Sequence, residues 1–293
     1  MANGILIVNK PESWTSQDVV AKLRGVFHEK RVGHGGTLDP MATGVLPVFF
    51  GRATRAVEFF EHADKEYRAT LRLGTETDTQ DVTGTVLKTC DISISSAEIE
   101  AVFPKFRGEI EQIPPMYSAV KIGGKRLYEI ARKGGEVERR PRRITVSALE
   151  LLGGSGTDWT LRVACSKGTY IRTLCHDLGQ ALGCGGCMAA LRRTEAGRFT
   201  VNDAHSLEEI ARAAAEGGAE GLLLPTDTLF SDASAVTVSA AAEKKVRNGN
   251  PFPLPGPDLD LRLYAGTGEF LALARRAGGE CRIIKSFFEV STT

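Results

Sequence analysis

Hydrophobic and polar positions follow two different periods along the chain, and the shorter period predicts strands. Residues 4–8 form a continuous apolar run typical of a buried strand. Residues 67–73 alternate strictly between apolar and polar side chains, which is typical of a strand with one buried face. Residues 144–152 and 159–165 read as two further strands, and the turn at 153–158 allows them to pair with each other.

Helical spacing of apolar residues, three and four positions apart, marks four other segments. The first two segments each begin with a hydroxyl residue followed three positions later by an acid, which is the pattern of a capping box. The first predicted helix begins after Thr15, with Asp18 in its first turn. The second begins after Ser95, with Glu98 in its first turn, and extends to about Pro104. The third and fourth cover 170–182 and 208–216. After about residue 232 prolines separate short strands such as 261–264 and 270–274, which indicates a small β-rich C-terminal domain.

Composition places the chain among ordinary folded proteins. It has 293 residues, of which 42% are hydrophobic and 25% charged, enough for one large domain and a small one. The longest apolar runs, such as 45–50, are far too short to cross a bilayer. The N-terminal residues lack the pattern of a secretion signal, so we expect a cytoplasmic protein without a membrane segment.

The six cysteines raise the question of a metal site. Cys184 and Cys187 form a single C-x-x-C pair, whereas a structural zinc ion needs four ligands. Cys175 and His176 could complete such a set, but the alternative, packing of small residues around Gly185 and its neighbours, needs no ion. We therefore expect no metal.

Charge is distributed unevenly. Residues 121–143 contain nine basic and three acidic side chains, a local charge of +6 in a chain whose net charge is only +1. A solvated surface segment is the plain interpretation. Paired glycines and the interleaved Tyr128 favour the other one, a basic arm over about 108–143 that grips a polyanion such as RNA.

The segment 33–44 is the strongest candidate for chemistry. It reads as a glycine-punctuated loop that contains one histidine, His34, and one aspartate, Asp39, followed directly by Pro40. Glycines let the backbone approach a ligand closely, and a carboxylate on a rigid loop can serve as a base or a nucleophile. The alternative is an ordinary turn, because Gly-Gly and Asp-Pro are common turn dipeptides. The residues alone leave these two interpretations about equal.

A resemblance favours the catalytic interpretation. Several short motifs occur in a fixed order over roughly residues 4–200: 8–11 (VNKP), 33–46 (GHGGTLDPMATGVL), 65–68 (KEYR), 114–119 (PPMYSA), 124–128 (GKRLY), 166–172 (SKGTYIR) and 191–193 (LRR). Together they resemble the TruB family, the tRNA pseudouridine-55 synthases. A weaker match at 248–250 (NGN) extends the resemblance toward the C-terminus.

The resemblance implies an α+β fold: a pseudouridine synthase catalytic domain over 1–232, with a large mixed, mainly antiparallel central sheet flanked by helices, and a PUA-like domain over 233–293. It implies that the enzyme isomerises the T-loop uridine at tRNA position 55 by cleaving the glycosidic bond, rotating the base and rejoining it through carbon. It further implies that tRNA, held by its T arm, is the partner, that no cofactor is needed, and that the protein is a monomer without an obligate protein partner.

The resemblance also assigns roles to residues. Asp39 matches the nucleophile, although the sequence leaves open whether it attacks C6 of the base or C1′ of the sugar. Tyr67 matches a tyrosine that stacks on the target base, and Arg172 matches an arginine that pairs with the aspartate. The further positions that match residues contacting or supporting the substrate are His34, Tyr170, Leu191, Lys10, Lys125 and Arg126.

Two other functions are alternatives to pseudouridine synthesis. A non-catalytic RNA-binding or RNA-folding protein on the same scaffold would be expected to lack the set Asp39, Tyr67 and Arg172, and all three are present. A hydrolase of small nucleosides would need a second acid paired with Asp39 and no basic arm. Relatives that act inside ribonucleoprotein particles have longer terminal extensions, so a resemblance that already begins at residue 4 favours the stand-alone bacterial type.

Overall fold

The strands form two main sheets. A computed structural model describes residues 2–289. Its strands are β1 (Gly4–Lys10), β2 (Val32–His34), β3 (Thr43–Phe50), β4 (Lys65–Leu73), β5 (Thr75–Thr77), β6 (Val86–Thr89), β7 (Gly108–Gln112), β8 (Lys121–Ile122), β9 (Lys125–Arg126), β10 (Arg142–Ser155), β11 (Asp158–Cys165), β12 (Gly186–Ala196), β13 (Phe199–Thr200), β14 (Ser234–Thr237), β15 (Phe252–Pro253), β16 (Leu259–Tyr264), β17 (Phe270–Ala277) and β18 (Glu280–Ser286).

The helices are short. They are α1 (Ser16–Phe27), α2 (Val57–Phe60), α3 (Ser96–Val102), α4 (Leu127–Ala131), α5 (Ile171–Ala181), α6 (Leu207–Ala215) and α7 (Ala240–Arg247). Helices α1, α3, α6 and α7 each begin at a side-chain cap. Both predicted capping boxes are confirmed: Thr15 with Asp18 opens α1, and Ser95 with Glu98 opens α3. A 3-10 turn, Phe103–Phe106, follows α3 directly, and Pro104 is its second residue, where a missing N–H is tolerated. No helix among these is long and apolar enough to span a membrane.

The central sheet has nine strands in the order β1-β3-β12-β4-β11-β10-β7, with β2 attached to β3 and β13 to β12. Neighbours are antiparallel except β3 and β12, which run parallel. The predicted mixed, mainly antiparallel sheet and the predicted pairing of 144–152 with 159–165 are therefore confirmed. Helices α1 and α5 cover this sheet and complete its larger apolar core.

Two predicted segments have different limits in the structure. The predicted loop 33–44 is wrong at both ends, because β2 continues to His34 and β3 already begins at Thr43. The ends of the basic arm also belong to the sheet: β7 takes 108–112 and pairs with β10 from Arg142 onward. Only 113–141 lies outside the sheet, and it contains the β8–β9 hairpin and α4.

A five-stranded sheet, in the order β14-β16-β17-β18-β15, forms the C-terminal part. A second apolar cluster joins it to the central sheet, with Phe230 and Phe287 packed against residues of β1 and β3. The Tyr264 hydroxyl donates a 2.5 Å hydrogen bond to Asp227, which adds a polar tie between β16 and the preceding 3-10 turn. The predicted β-rich C-terminal region is confirmed.

Candidate active site

The segment that carries Asp39 connects β2 to β3, which pair antiparallel in the central sheet. Its backbone is tied down on both sides of the aspartate. Before it, Leu38 N–H donates to the hydroxyl of the buried Ser16 at 2.9 Å. Ser16 is the first residue of α1. After it, the Pro40 carbonyl accepts from Ser13 N–H at 2.9 Å. Asp39 therefore stands on a braced segment and not on a free loop.

Lys10 adds a third support. This lysine, at the end of β1, is fully buried, and its Nζ donates to the carbonyl oxygens of Pro11 at 2.9 Å, Trp14 at 2.6 Å and Pro40 at 3.1 Å. Burial lowers the pKa of Lys10 to about 8, and the nearby Asp39 charge works against that shift. All three donors are used by backbone, so Lys10 supports the Asp39 segment and does not face a substrate.

Asp39 and Arg172 form a bidentate ion pair. Arg172 Nε lies 2.9 Å from Asp39 Oδ2, and Nη2 donates to Oδ1 at 3.4 Å. The arginine side chain is only 7% exposed, whereas the aspartate is 36% exposed. The cation thus orients the carboxylate from the protein side and leaves its open side for a substrate. Arg172 is in the first turn of α5, and its side chain is buried there.

Three further acceptors hold the same guanidinium. Arg172 Nη1 lies 3.5 Å from Asp81 Oδ2 and donates to the Thr79 carbonyl at 3.2 Å, while Nη2 donates to the Tyr117 carbonyl at 2.9 Å. Asp81 is itself buried and accepts from Thr79 Oγ1 at 2.9 Å. Two carboxylates thus share one cation, and only Asp39 reaches solvent.

Tyr67 lies on β4 with its side chain in the apolar core, which also contains Leu38, the residue before Asp39. Burial raises the pKa of Tyr67, while the positive charge of its cross-strand neighbour Arg193 opposes that shift. The Asp39 charge also acts on the phenol. A phenol with a raised pKa stays protonated at neutral pH, so Tyr67 offers a neutral aromatic ring and one O–H.

Leu191 and Tyr170 border the same region. Leu191 is buried on β12 and pairs with Ala69 of β4. Tyr170 is the residue before α5, and the side chain of Gln112 grips its backbone twice, accepting from Tyr170 N–H at 2.8 Å and donating to its carbonyl at 3.0 Å. The end of β7, where the basic arm begins, is thereby joined to the start of the helix that bears Arg172.

The remaining predicted residues make no hydrogen bond with Asp39 or Arg172 within residues 2–289. His34, on β2, has a buried Nδ1 without a hydrogen-bond partner, and burial, with the charge of Arg193, lowers its pKa. Lys125 and Arg126 are exposed on β9 of the arm, where Arg126 donates to the Tyr128 hydroxyl at 2.9 Å. Neither makes a hydrogen bond or ion pair with Asp39 or Arg172 in the part of the chain that the structure describes.

The cysteines do not assemble into a recognisable metal site. All are free thiols; Cys90 is exposed and the others, Cys184 and Cys187 included, are buried. Between residues 2 and 289 no group of three or more His, Cys, Asp or Glu side chains could hold an ion. Burial raises the pKa of Cys187 to about 11, so its thiol stays protonated at neutral pH.

Three residues of the site were missed by sequence reasoning: Asp81, Gln112 and Arg193. Asp81 stands in a Thr- and Asp-rich turn, 77–85, that reads as an ordinary β-turn. Gln112 looks like the polar end of an edge strand. Arg193 lies in the motif at 191–193, but nothing in the sequence shows that Arg193, and not the adjacent Arg192, belongs to the site.

Family models match most of the central region. The model of the TruB family pseudouridylate synthase N-terminal domain matches residues 24–171, and that of the tRNA pseudouridylate synthase B C-terminal domain matches 172–231. The five-stranded C-terminal sheet lies beyond both matches.

Curated relatives extend the similarity over nearly the whole chain. A protein of Pseudomonas putida named tRNA pseudouridine synthase B is 48% identical over 240 residues, which is 81% of this chain and 79% of that protein. One of the same name from Geobacillus thermodenitrificans is 46% identical over 282 residues, 93% of each chain.

The fold is also similar to that of a solved protein in a Cbf5–Nop10–Gar1 complex, with a TM-score of 0.75, 28% identity, and coverage of 98% of this chain and 85% of that one. The resemblance first suggested by the motifs and the fold expected from it are confirmed by these matches. The chain belongs to the TruB family of pseudouridylate synthases.

Proposed function

We propose that this protein is a tRNA pseudouridine synthase that converts the T-loop uridine at tRNA position 55 into pseudouridine. One observation carries the proposal: an exposed carboxylate, Asp39, is held in a bidentate pair by the buried Arg172, next to the protonated phenol of Tyr67. Its curated relatives are named for this activity.

The reaction breaks the N1–C1′ bond of the uridine and forms a C5–C1′ bond, and the C5 proton is lost while N1 gains one. No electrons or groups enter from outside, so the chemistry requires neither a cofactor nor a metal. Asp39 acts as the nucleophile, at C6 or at C1′, and Arg172 keeps it charged and oriented. Tyr67 stacks on the base, and its O–H is available for the proton that moves.

The target base must leave the tRNA stack to reach Asp39. The neutral, half-buried ring of His34, at the outer end of β2, fills the space that the base leaves. Tyr170 and Leu191 enclose the flipped base. Lys125 and Arg126 bind phosphates of the T arm from the basic arm, whose exposed hairpin they occupy. Lys10 supports the Asp39 segment from below.

We also propose the domain boundaries, the cellular location and the oligomeric state of the protein. We assign residues 1–232 to the catalytic domain and residues 233–293 to a small PUA-like domain. The protein works in the cytoplasm as a monomer, with tRNA as its partner and no obligate protein subunit.

The test is an unmodified tRNA transcript incubated with the purified protein, with pseudouridine mapped by position. We expect modification at position 55 alone and none in a transcript with cytidine there. A protein that binds the transcript without modifying it would contradict the proposal and would favour the RNA-folding alternative.

A further inference from the structure

Arg193 of β12 is a buried cation without an acidic partner. It is among the largest side chains that solvent does not reach. Within residues 2–289 it makes no ion pair, taking 4.0 Å between nitrogen and carboxylate oxygen as the limit. Charged side chains are almost never fully buried unless they are paired. Something other than a carboxylate therefore compensates this one.

Two backbone carbonyls provide that compensation, and they lie on opposite sides of Asp39. Arg193 Nε donates to the Val45 carbonyl at 2.7 Å, and Nη2 donates to the Gly36 carbonyl at 3.2 Å. Gly36 precedes the aspartate by three positions and Val45 follows it by six. A single guanidinium thus joins the two arms of the segment that carries the nucleophile.

Glycines make this close approach possible. Gly36 has a φ of +89°, and a Cβ there would meet Arg193 Nη1 at 3.4 Å. Gly44 has a φ of +99°, and a Cβ there would lie 2.2 Å from the Arg193 carbonyl oxygen, a separation no side chain allows. The conformation of the Asp39 segment and the position of Arg193 therefore depend on each other.

The same arginine also borders Tyr67, which is its register partner across β4 and β12. Its charge opposes the effect of burial on the pKa of Tyr67, and it adds to burial in lowering the pKa values of Lys65 and His34. Arg193 thus contacts the segment that carries Asp39 and lies beside Tyr67.

We propose that Arg193 is a positioning residue for the reaction: its guanidinium clamps Gly36 to Val45 and so fixes Asp39 relative to Tyr67. The inference rests on the proposed function, since it concerns the groups that perform it. The planar guanidinium carries Nε and Nη2 in a fixed geometry, and each donates to a different one of the two carbonyls, whereas a lysine offers a single ammonium nitrogen at the end of a flexible side chain. The clamp therefore requires arginine and not merely a positive charge.

The experiment compares Arg193→Met and Arg193→Lys with Arg192→Met, which removes the same charge from the neighbouring exposed position. Three quantities are measured for each: the single-turnover rate at saturating enzyme, the tRNA affinity, and hydrogen exchange of the amides in 33–44. Misplacing a catalytic group by about 1 Å costs on the order of 100-fold in rate, so we expect about that loss for Arg193→Met. Arg193→Lys should recover part of it.

In both Arg193 variants the tRNA affinity should stay within about threefold, and exchange in 33–44 should speed up, because the loss lies in alignment and not in binding. In Arg192→Met neither the exchange nor the saturated rate should change.

A purely structural role predicts a different pattern, in which activity falls only as the folded fraction falls. Rates per folded molecule that match the wild type, with unchanged exchange in 33–44, would overturn the clamp. If Arg193→Met fails to fold, Arg193→Lys decides by the same two measurements. A wild-type protein inactive on tRNA would refute the proposed function instead, and the exchange data would still test the clamp.

Discussion

The substitution Asp81→Asn separates orientation of Arg172 from direct participation in the reaction. Asp81 is buried and lies 3.5 Å from Arg172 Nη1, on the far side of the guanidinium from Asp39. The change preserves shape and removes one negative charge. Arg172 keeps its pair with Asp39, but it loses one of the anchors that set the angle of that pair.

The magnitude follows from the geometry. The contact of Arg172 Nη1 with Asp81 Oδ2, at 3.5 Å, is an ion pair without a hydrogen bond, so its contribution to alignment should not exceed the lower end, about 1.5 kcal/mol, of the range for hydrogen bonds to charged groups. A loss of about 1.5 kcal/mol from alignment in the transition state lowers the rate about tenfold. The stability cost should be about 1–2 kcal/mol, or roughly 2–3 °C in melting temperature for a chain of this length, because the amide oxygen can still accept from Thr79.

The assay is single-turnover pseudouridine formation at saturating enzyme, beside tRNA affinity and thermal melting. Asp78→Asn is the matched control: it is an exposed aspartate of the same turn that caps Thr85 N–H at 2.8 Å and makes no contact with Arg172. The reasoning is refuted if the single-turnover rate of Asp81→Asn at saturating enzyme equals that of the wild type, or if the same rate falls equally in Asp78→Asn.

Three further outcomes are expected. Asp39→Asn should abolish turnover and leave tRNA affinity within a few-fold, since only charge and nucleophilicity are removed; substantial residual pseudouridine would refute the assignment. The double variant Lys125→Gln/Arg140→Gln should lower the magnitude of the log–log salt slope of tRNA binding by about 1.5, with a much smaller change in the saturated rate. An unchanged slope would mean that these exposed residues of the arm bind no phosphate. Activity should survive exhaustive chelation; stoichiometric zinc in the purified protein, with unfolding when it is removed, would contradict this.

The sequence determined the local structure and singled out the candidate carboxylate. Apolar spacing alone predicted the strands at 4–8, 67–73 and 159–165 and the helix at 170–182, because burial of one face imposes a period of two or of about 3.6. Capping boxes were readable because their partners are three residues apart. The motifs singled out Asp39, Tyr67 and Arg172, two of which the structure joins in an ion pair.

Tertiary structure alone decided which of the other charged residues surround that pair. Arg192 and Arg193 are adjacent and chemically identical, yet one is exposed and the other buried, because successive side chains of a strand point to opposite faces and only the register of β12 on β4 and β3 assigns the faces. Asp81 and Gln112 became part of the site for a related reason. Asp81 pairs with Arg172, and Gln112 hydrogen-bonds the backbone of Tyr170, both of which are distant in sequence. The role of a buried polar group depends on the partner that folding brings to it, and the sequence does not name that partner.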